Sequence, residues 1–512
     1  MSRTKSSIKN FIWAIIGQGA GLIISFVARI VFVRTLGNEY LGLSGLFTNI
    51  LTMLSLAELG IGNAIIYSLY KPLAEKDTKK SNMLMQFYQK VYTIVGIIIL
   101  IVGTLIIPLL PFFIKEMPNI QNINLIYFLF LLNTSMSYFF SYKRNLIIAD
   151  QNRYIATIYR YSFYFLLNVA QIIYLLITHN YIGYLILQII STLLENIFIS
   201  LKADKMYPYL KSKEKIKLDF ETKNEILKNT KALMMHKIGG IIVNSTDNII
   251  LSKFVGIIEV GLYSNYYLII NALNTIFGQV FNSLTASVGN LFVDSEKEKQ
   301  YSVFKNINFL TFWIYSFSSI CLLNLFNPFI SIWLGKNYLF SIDIVLILVI
   351  NFYVTGMRKS VLTFKDADGL FYKDRYKPLI ESLINLVVSI VLAKKLETLG
   401  VFIGTFASTV TTSLWVEPYV LYKYGFNKKL SKYFKDYLKY LGITIILALI
   451  TYFVCSFINT NVYLAFVLKL LVSFLIPNVV IYLIFRKSDE YKFFDEKIFK
   501  KIKNKLKKKS KF

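Results

Sequence analysis

Runs of about 20 predominantly apolar residues recur along the whole chain, and no other feature restricts its fold as strongly. A helix needs about 20 residues to cross the hydrocarbon of a bilayer. Fourteen such segments fall at 11–33, 41–70, 84–112, 124–142, 155–177, 181–201, 232–252, 260–291, 306–330, 338–357, 376–393, 399–421, 437–457 and 462–485. Residues are 55% hydrophobic and 17% charged, against roughly 25% charged in a soluble domain. A soluble enzyme of 512 residues with this composition would leave too much apolar surface in water. The expectation is an all-α polytopic membrane protein. The first segment has no small-residue cleavage site at its end, so it reads as a retained span rather than a signal peptide.

The basic residues test this map independently, because cytoplasmic loops collect Lys and Arg. Of the 57 Lys and Arg, 48 fall in alternate loops and the two termini. The other set of loops holds six, namely Arg34, Lys115, Lys253, Lys336, Lys394 and Lys395. This alternation predicts about 14 helices with both termini cytoplasmic. It also accounts for the net charge of +28 without invoking nucleic acid. The Lys-rich tail additionally fits attraction to anionic membrane lipids. Two cysteines and two histidines provide neither a disulfide framework nor a metal site.

An internal repeat divides the chain. Arg34-Thr-Leu-Gly-Asn-Glu-Tyr-Leu-Gly-Leu43 aligns with Lys253-Phe-Val-Gly-Ile-Ile-Glu-Val-Gly-Leu262, and Asp150-Gln-Asn-Arg-Tyr154 with Lys373-Asp-Arg-Tyr376. Both halves start on the same side and hold six spans, so they are parallel repeats, an arrangement that lets two bundles rock about a cleft. The expected organisation is a six-helix lobe at 1–201, a basic linker at 202–231 and a second six-helix lobe at 232–421. Two extra C-terminal helices at 422–485 and a basic tail at 486–512 follow.

No phosphate-binding loop, zinc-protease motif or nucleophile elbow is present, so the chain reads as a transporter rather than an enzyme, with no cofactor. Ionisable and polar groups inside spans become the binding candidates. Arg29 reads as a cation facing the cleft and pairing with phosphate, or as a residue snorkelling to the interface. Glu58 lies mid-span and needs a partner or a proton. Lys237 reads either way, as Arg29 does; Asp247 is a proton or sodium site, or the partner of a cation. Asn271 and Asn274, with neighbouring tyrosines, read as a polar wall suited to sugars, against the plain alternative that the tyrosines serve packing or the interfacial belt. Arg144, Arg153, Arg160, Arg358 and Arg375 make a basic rim at the cytoplasmic mouth that would concentrate an anionic substrate. The plain alternative for the rim is topology-setting charge. Glu195, Glu381 and Glu417, near inner helix ends, read as solvated or paired.

Four segments carry a family resemblance: Arg34–Leu43, Leu56-Ala-Glu-Leu-Gly-Ile-Gly-Asn-Ala64, Ile147-Ile-Ala-Asp-Gln151 and Asp374-Arg-Tyr-Lys-Pro378. In their order and topology the chain resembles Wzx-type polysaccharide flippases of the multidrug/oligosaccharidyl-lipid/polysaccharide exporter superfamily. The resemblance implies a V-shaped pair of six-helix lobes around a cationic cavity. It implies transfer of an undecaprenyl-pyrophosphate-linked oligosaccharide from the inner to the outer leaflet of the bacterial cytoplasmic membrane, for capsule or exopolysaccharide synthesis. Polymerase and glycosyltransferases of the same pathway would be partners; the driving force is an ion gradient, with proton or sodium as the coupling ion, the membrane potential or removal of product outside. Arg29 is the one position matching a first-helix arginine of the superfamily. The competing readings are a cation-coupled multidrug exporter of the same superfamily and a membrane-embedded glycan polymerase. The short loops argue against the polymerase.

Overall fold

The structure, a computed structural model, describes residues 3–58, 61–212, 226, 241 and 245–495. Among these, helix is the only regular secondary structure. The chain forms two compact units, Met1–Ser264 and Asn265–Phe512.

The first unit holds α1 (Arg3–Leu36), α2 (Asn38–Leu54), α3 (Ile61–Ala74), α4 (Thr78–Ile106), α5 (Ile123–Ala149), α6 (Arg153–Thr178) and α7 (Tyr181–Met206). Helix α1 packs along α6, and α5 lies against both α4 and α7. The α4–α5 seam is fastened where Ser135 donates its hydroxyl to the Gly96 carbonyl at 2.7 Å. Large apolar side chains such as Leu105, Leu166 and Ile177 point outward, more than half exposed. A bilayer accepts such a surface, whereas water would drive it to aggregate.

The expected second lobe begins at 232, but residues up to 264 group with the first unit. The contacts explain why. The Lys115 amide donates to the Ser252 carbonyl at 2.9 Å. The two sequence-matched turns also meet. A side-chain carbon on Gly42 would strike the Ile257 carbonyl, and one on Gly261 would strike that of Asn38. At the sequence offset of 219, Gly42 corresponds to Gly261 and Asn38 to Ile257. The contact is therefore reciprocal, as a local two-fold axis produces. The preceding pair of matched glycines, Gly37 and Gly256, takes φ of 86° and 154°, backbone that a side chain disfavours. Because the obstacles at Gly42 and Gly261 are backbone atoms, Gly261→Val should destabilise the protein by about 1–3 kcal/mol. A thermal midpoint in detergent equal to that of the parent would refute this.

The second unit continues α8 (Ile257–Asp294) into α9 (Lys297–Trp333), α10 (Ile342–Met357), α11 (Lys359–Ala367), α12 (Lys377–Thr411), α13 (Ser413–Val420), α14 (Leu430–Ser456) and α15 (Val462–Phe485). Helix α9 is the central element, packed by α10, α14 and α15. Phe312 stacks on Tyr440 at 4.3 Å, Thr444 donates to Ser316 at 2.9 Å, and the Trp313 indole donates to Asn478 at 2.8 Å. Polar groups bonded across helices in this way hold a bundle together where lipid supplies no hydrophobic contrast.

Eight helices among the described residues are long and apolar enough to cross a membrane, or nine with the pair Ile123–Phe139 and Ser141–Ala149, bent by 46°. That is a multi-pass membrane protein. The expected span 41–70 is interrupted by the 3-10 turn Ser55–Glu58. The expected eleventh and twelfth spans are joined by a turn at Glu397, φ 50°, where α12 doubles back. Asn385 then reaches Thr405 at 3.0 Å and Ser389 reaches the Val401 carbonyl at 3.1 Å. Most of the seventh segment, most of the 202–231 linker and the tail from 496 lie outside the described residues.

Candidate functional site

In the first unit, Arg29 sits half-buried on α1, with Tyr164 of α6 and Tyr184 of α7 in electrostatic range. The α1–α6 packing puts it there, and both neighbours present hydroxyls rather than acids. Glu58 closes the 3-10 turn after α2. Tyr92 donates to its carboxylate at 2.7 Å, and Tyr88 donates to Tyr92 at 3.3 Å. Asn145 in turn donates to Tyr88 at 2.9 Å. The carboxylate thus heads a polar chain crossing α4 to α5, and among the described residues it forms no ion pair. The spacing of Tyr88 and Tyr92, one helical turn apart on α4, makes this possible. Asp247 is buried beside Ser245 and Thr246. Lys237 and its neighbour His236 lie outside the described residues.

In the second unit, Asn271 is exposed and Asn274 half-exposed on α8. The rim arginines divide into two groups. Arg144 donates to Glu195 at 2.5 Å and to Asn196 at 2.9 Å. Lys143 likewise bonds Asp204 at 2.7 Å. Arg358 grips Glu417 with two hydrogen bonds, 2.9 and 2.7 Å, and its third nitrogen stands 3.7 Å from Glu381. Lys377 donates to Glu417 at 2.5 Å and to Ser413 at 2.9 Å, and lies 3.4 Å from Glu381. Two cations and two carboxylates therefore form one neutral buried cluster, with the Glu417 side chain fully enclosed. Arg153 and Arg160 are exposed, and Arg375 stacks on Tyr372. The exposed charge at the rim thus comes from fewer cations than the sequence count suggests.

Sequence reasoning placed Glu195 and Glu417 at helix ends without naming their partners. They stand 222 residues apart, the offset that also relates Arg153 to Arg375 and Tyr154 to Tyr376. That common offset was a readable signal, since each of the two acids is held by an arginine two spans earlier.

Sequence reasoning also missed a cavity of about 680 Å³ among α9, α10, α12, α13 and α14. Its walls are almost wholly apolar, with Leu346, Phe406, Leu414 and Leu441 prominent. Tyr437 lines it and stands in electrostatic range of Arg358, so the apolar space approaches the charged cluster. Leu438 and Leu449 line the same cavity and are more than 60% exposed, which leaves it open at the surface. Such a space accepts a flexible hydrocarbon chain and offers nothing to a hydrated ion. No group of three metal-binding side chains occurs among the described residues.

The sequence profile described as "Polysaccharide biosynthesis protein" matches residues 7–288. No curated protein matches in sequence. Among solved structures, the lipid II flippase MurJ in an inward closed conformation superposes with a TM-score of 0.67 at 16% identity, covering 94% of this chain and 99% of that one. A multidrug resistance MATE family transporter of the MOP superfamily, inward-facing, gives 0.64 at 16% identity over 79% of this chain and 96% of the other. A mutant of the Vibrio cholerae MATE transporter VcmN gives 0.58 at 14% identity over 84% and 99%. At these identities the likeness concerns the fold.

Proposed function

The chain belongs to the polysaccharide biosynthesis protein family, and from that premise we propose that it flips an undecaprenyl-pyrophosphate-linked oligosaccharide across the bacterial cytoplasmic membrane. The family match, in a chain folded like lipid and drug transporters, carries the reading. Transfer runs from the inner to the outer leaflet by alternating access, and the glycan serves capsule or exopolysaccharide assembly. Both termini face the cytoplasm, as the basic residues predict.

The physics supplies the division of labour. A pyrophosphate with attached sugars cannot enter hydrocarbon without losing its water. Arg29 offers a charged donor for phosphate, with Tyr164 and Tyr184 beside it; Asn271 and Asn274 offer amides to sugar hydroxyls. The apolar cavity of the second unit suits the polyprenyl chain. Glycosyltransferases of the same pathway act before the transfer and a polymerase after it. A proton or sodium gradient supplies direction by binding one conformation better than the other.

The test is a deletion strain. Lipid-linked oligosaccharide should accumulate on the inner leaflet, protected from an impermeant sugar-modifying reagent, and this gene should reverse the accumulation. Normal outward movement of every lipid-linked glycan in that strain would overturn the proposal.

A second reading, the cation-coupled drug exporter, is favoured by Glu58, a carboxylate bonded to tyrosine with no ion pair among the described residues. Lipid II is the substrate in the name of one structural relative, and a peptidoglycan or teichoic-acid precursor is a further variant of the flippase reading. Under either transport scheme, Glu58→Gln should slow transport about tenfold or more, because one charge-assisted hydrogen bond is worth about 1.5–3 kcal/mol. Transport with an unchanged rate and pH dependence would reduce Glu58 to a packing residue.

A further inference from the structure

Basic residues near the joined ends of α10–α14 meet contrasting fates. Arg358, Lys365, Lys377 and Lys428 each contact a carboxylate, from Glu417, Asp374, Glu417 and Glu298 respectively. Lys373, Arg375 and Lys423 form no ion pair among the described residues and lie on tyrosine faces instead. The Arg375 guanidinium is 3.7 Å from the Tyr372 ring centre and 4.7 Å from that of Tyr376. Lys373 stands 4.7 Å over Tyr424. Lys423 stands 5.4 Å from that same ring and donates to the Tyr419 hydroxyl at 2.7 Å. Tyr424 thereby ties the segment before α12 to the segment after α13.

A tyrosine face orients a cation without cancelling its charge, whereas a carboxylate cancels it. The acid that stands between two of these cations in sequence is already engaged. Asp374 is buried and taken by Lys365 at 2.5 Å. Three cations with no ion pair among the described residues therefore lie among rings that are themselves exposed, Tyr372 by 70% and Tyr376 by 56%. Amphipathic rings beside free cations at the end of a spanning bundle match the headgroup region of a bilayer, apolar on one side and anionic on the other.

We infer that Lys373, Arg375 and Lys423, set on Tyr372, Tyr376, Tyr419 and Tyr424, form a seat for the phosphate of an anionic phospholipid. The two basic–aromatic segments close around one headgroup and anchor the ends of α12 and α13 to the leaflet. The leaflet assigned, the inner one, rests on the topology proposed above; the seat itself does not.

The test uses the full chain in vesicles with a photoactivatable phosphatidylglycerol, and phosphatidylcholine carrying the same group as comparison. Phosphatidylglycerol should label residues 372–376 and 419–424 preferentially. Ala at Lys373, Arg375 or Lys423 should each lower that labelling about fivefold, the weight of one cation near an anionic surface. The double variant Lys394→Ala/Lys395→Ala, at the fold-back of α12, should leave it unchanged. Tyr372→Phe should keep the labelling, since the ring holds Arg375, and Tyr372→Ala should lower it. Two arms need no variant. Labelling should fall with added salt, and inorganic pyrophosphate at equal ionic strength should not compete. Equal labelling by the two lipids, or specific displacement by pyrophosphate, overturns the seat; the latter would mark a site for free or substrate phosphate. A probe confined to the inner leaflet should reach the seat. Labelling only from the outer leaflet overturns the leaflet assignment and the proposed topology together. Loss of glycan flipping with labelling intact fails the proposed function alone.

Discussion

Replacing Glu417 with glutamine should destabilise the second unit by about 3–5 kcal/mol, the cost of leaving a buried cation without its counter-ion. Glutamine keeps the shape of the side chain but not its charge. Arg358 would lose one of its two acceptor oxygens to an amide that donates, and would share the remaining neutral oxygen with Lys377. Glu381, at 3.7 Å from Arg358 and 3.4 Å from Lys377, would have to balance two cations alone. The decisive control is Arg358→Met together with Glu417→Gln. That pair removes one charge of each sign and leaves Lys377 facing Glu381, so most of the loss should be recovered. Thermal unfolding of the purified protein in detergent reads both effects. A Glu417→Gln protein that melts with the parent, or a double variant that adds the two losses, would show that the cluster is open to water. The contrast separates a network of mutual neutralisation from four independent surface charges.

Arg29→Ala should reduce flipping about ten- to a hundredfold, the equivalent of one lost charged hydrogen bond at about 1.5–3 kcal/mol, while leaving the protein level unchanged. Arg29 is half-buried beside Tyr164 and Tyr184, so truncation removes a charge without emptying a packed core. Arg29→Lys should retain part of the activity, because lysine keeps the charge and loses the planar fork that fits phosphate. Accumulated inner-leaflet oligosaccharide in a complemented deletion strain gives the rate. Full transport by Arg29→Ala would remove Arg29 from the substrate path, and loss of the protein itself would recast it as a structural residue.

Much of the architecture was legible in the chain because membranes impose one-dimensional rules. Apolar length reports a crossing, and basic residues sort to one side. The glycines at 37, 42, 256 and 261 were readable as a matched pair of turns. That Gly42 and Gly261 contact the partner turn reciprocally was not, since the distance between two chain segments is set by packing. The fold-back at Glu397 falls between the expected spans 376–393 and 399–421, whereas the 3-10 turn at Ser55–Glu58 costs hydropathy little and so left no mark in the apolar pattern.

The candidate site shows the same boundary. The types of residue able to bind an anionic, sugar-bearing lipid were visible in the sequence, as Arg29, Glu58, Asn271, Asn274 and the rim arginines. Which of those charges stay available was not. Arg358 and Arg375 lie 17 residues apart in one basic loop and look equivalent. One is neutralised by Glu417, 59 residues further along, while the other lies on tyrosine and keeps its field. By itself, then, the sequence determined an all-helical membrane protein of the polysaccharide biosynthesis family, because composition and local motif carry that information. Only the tertiary structure decided the pairing of charges and the apolar cavity beside them, because electrostatic neutralisation depends on distance in space, and helix packing sets that distance.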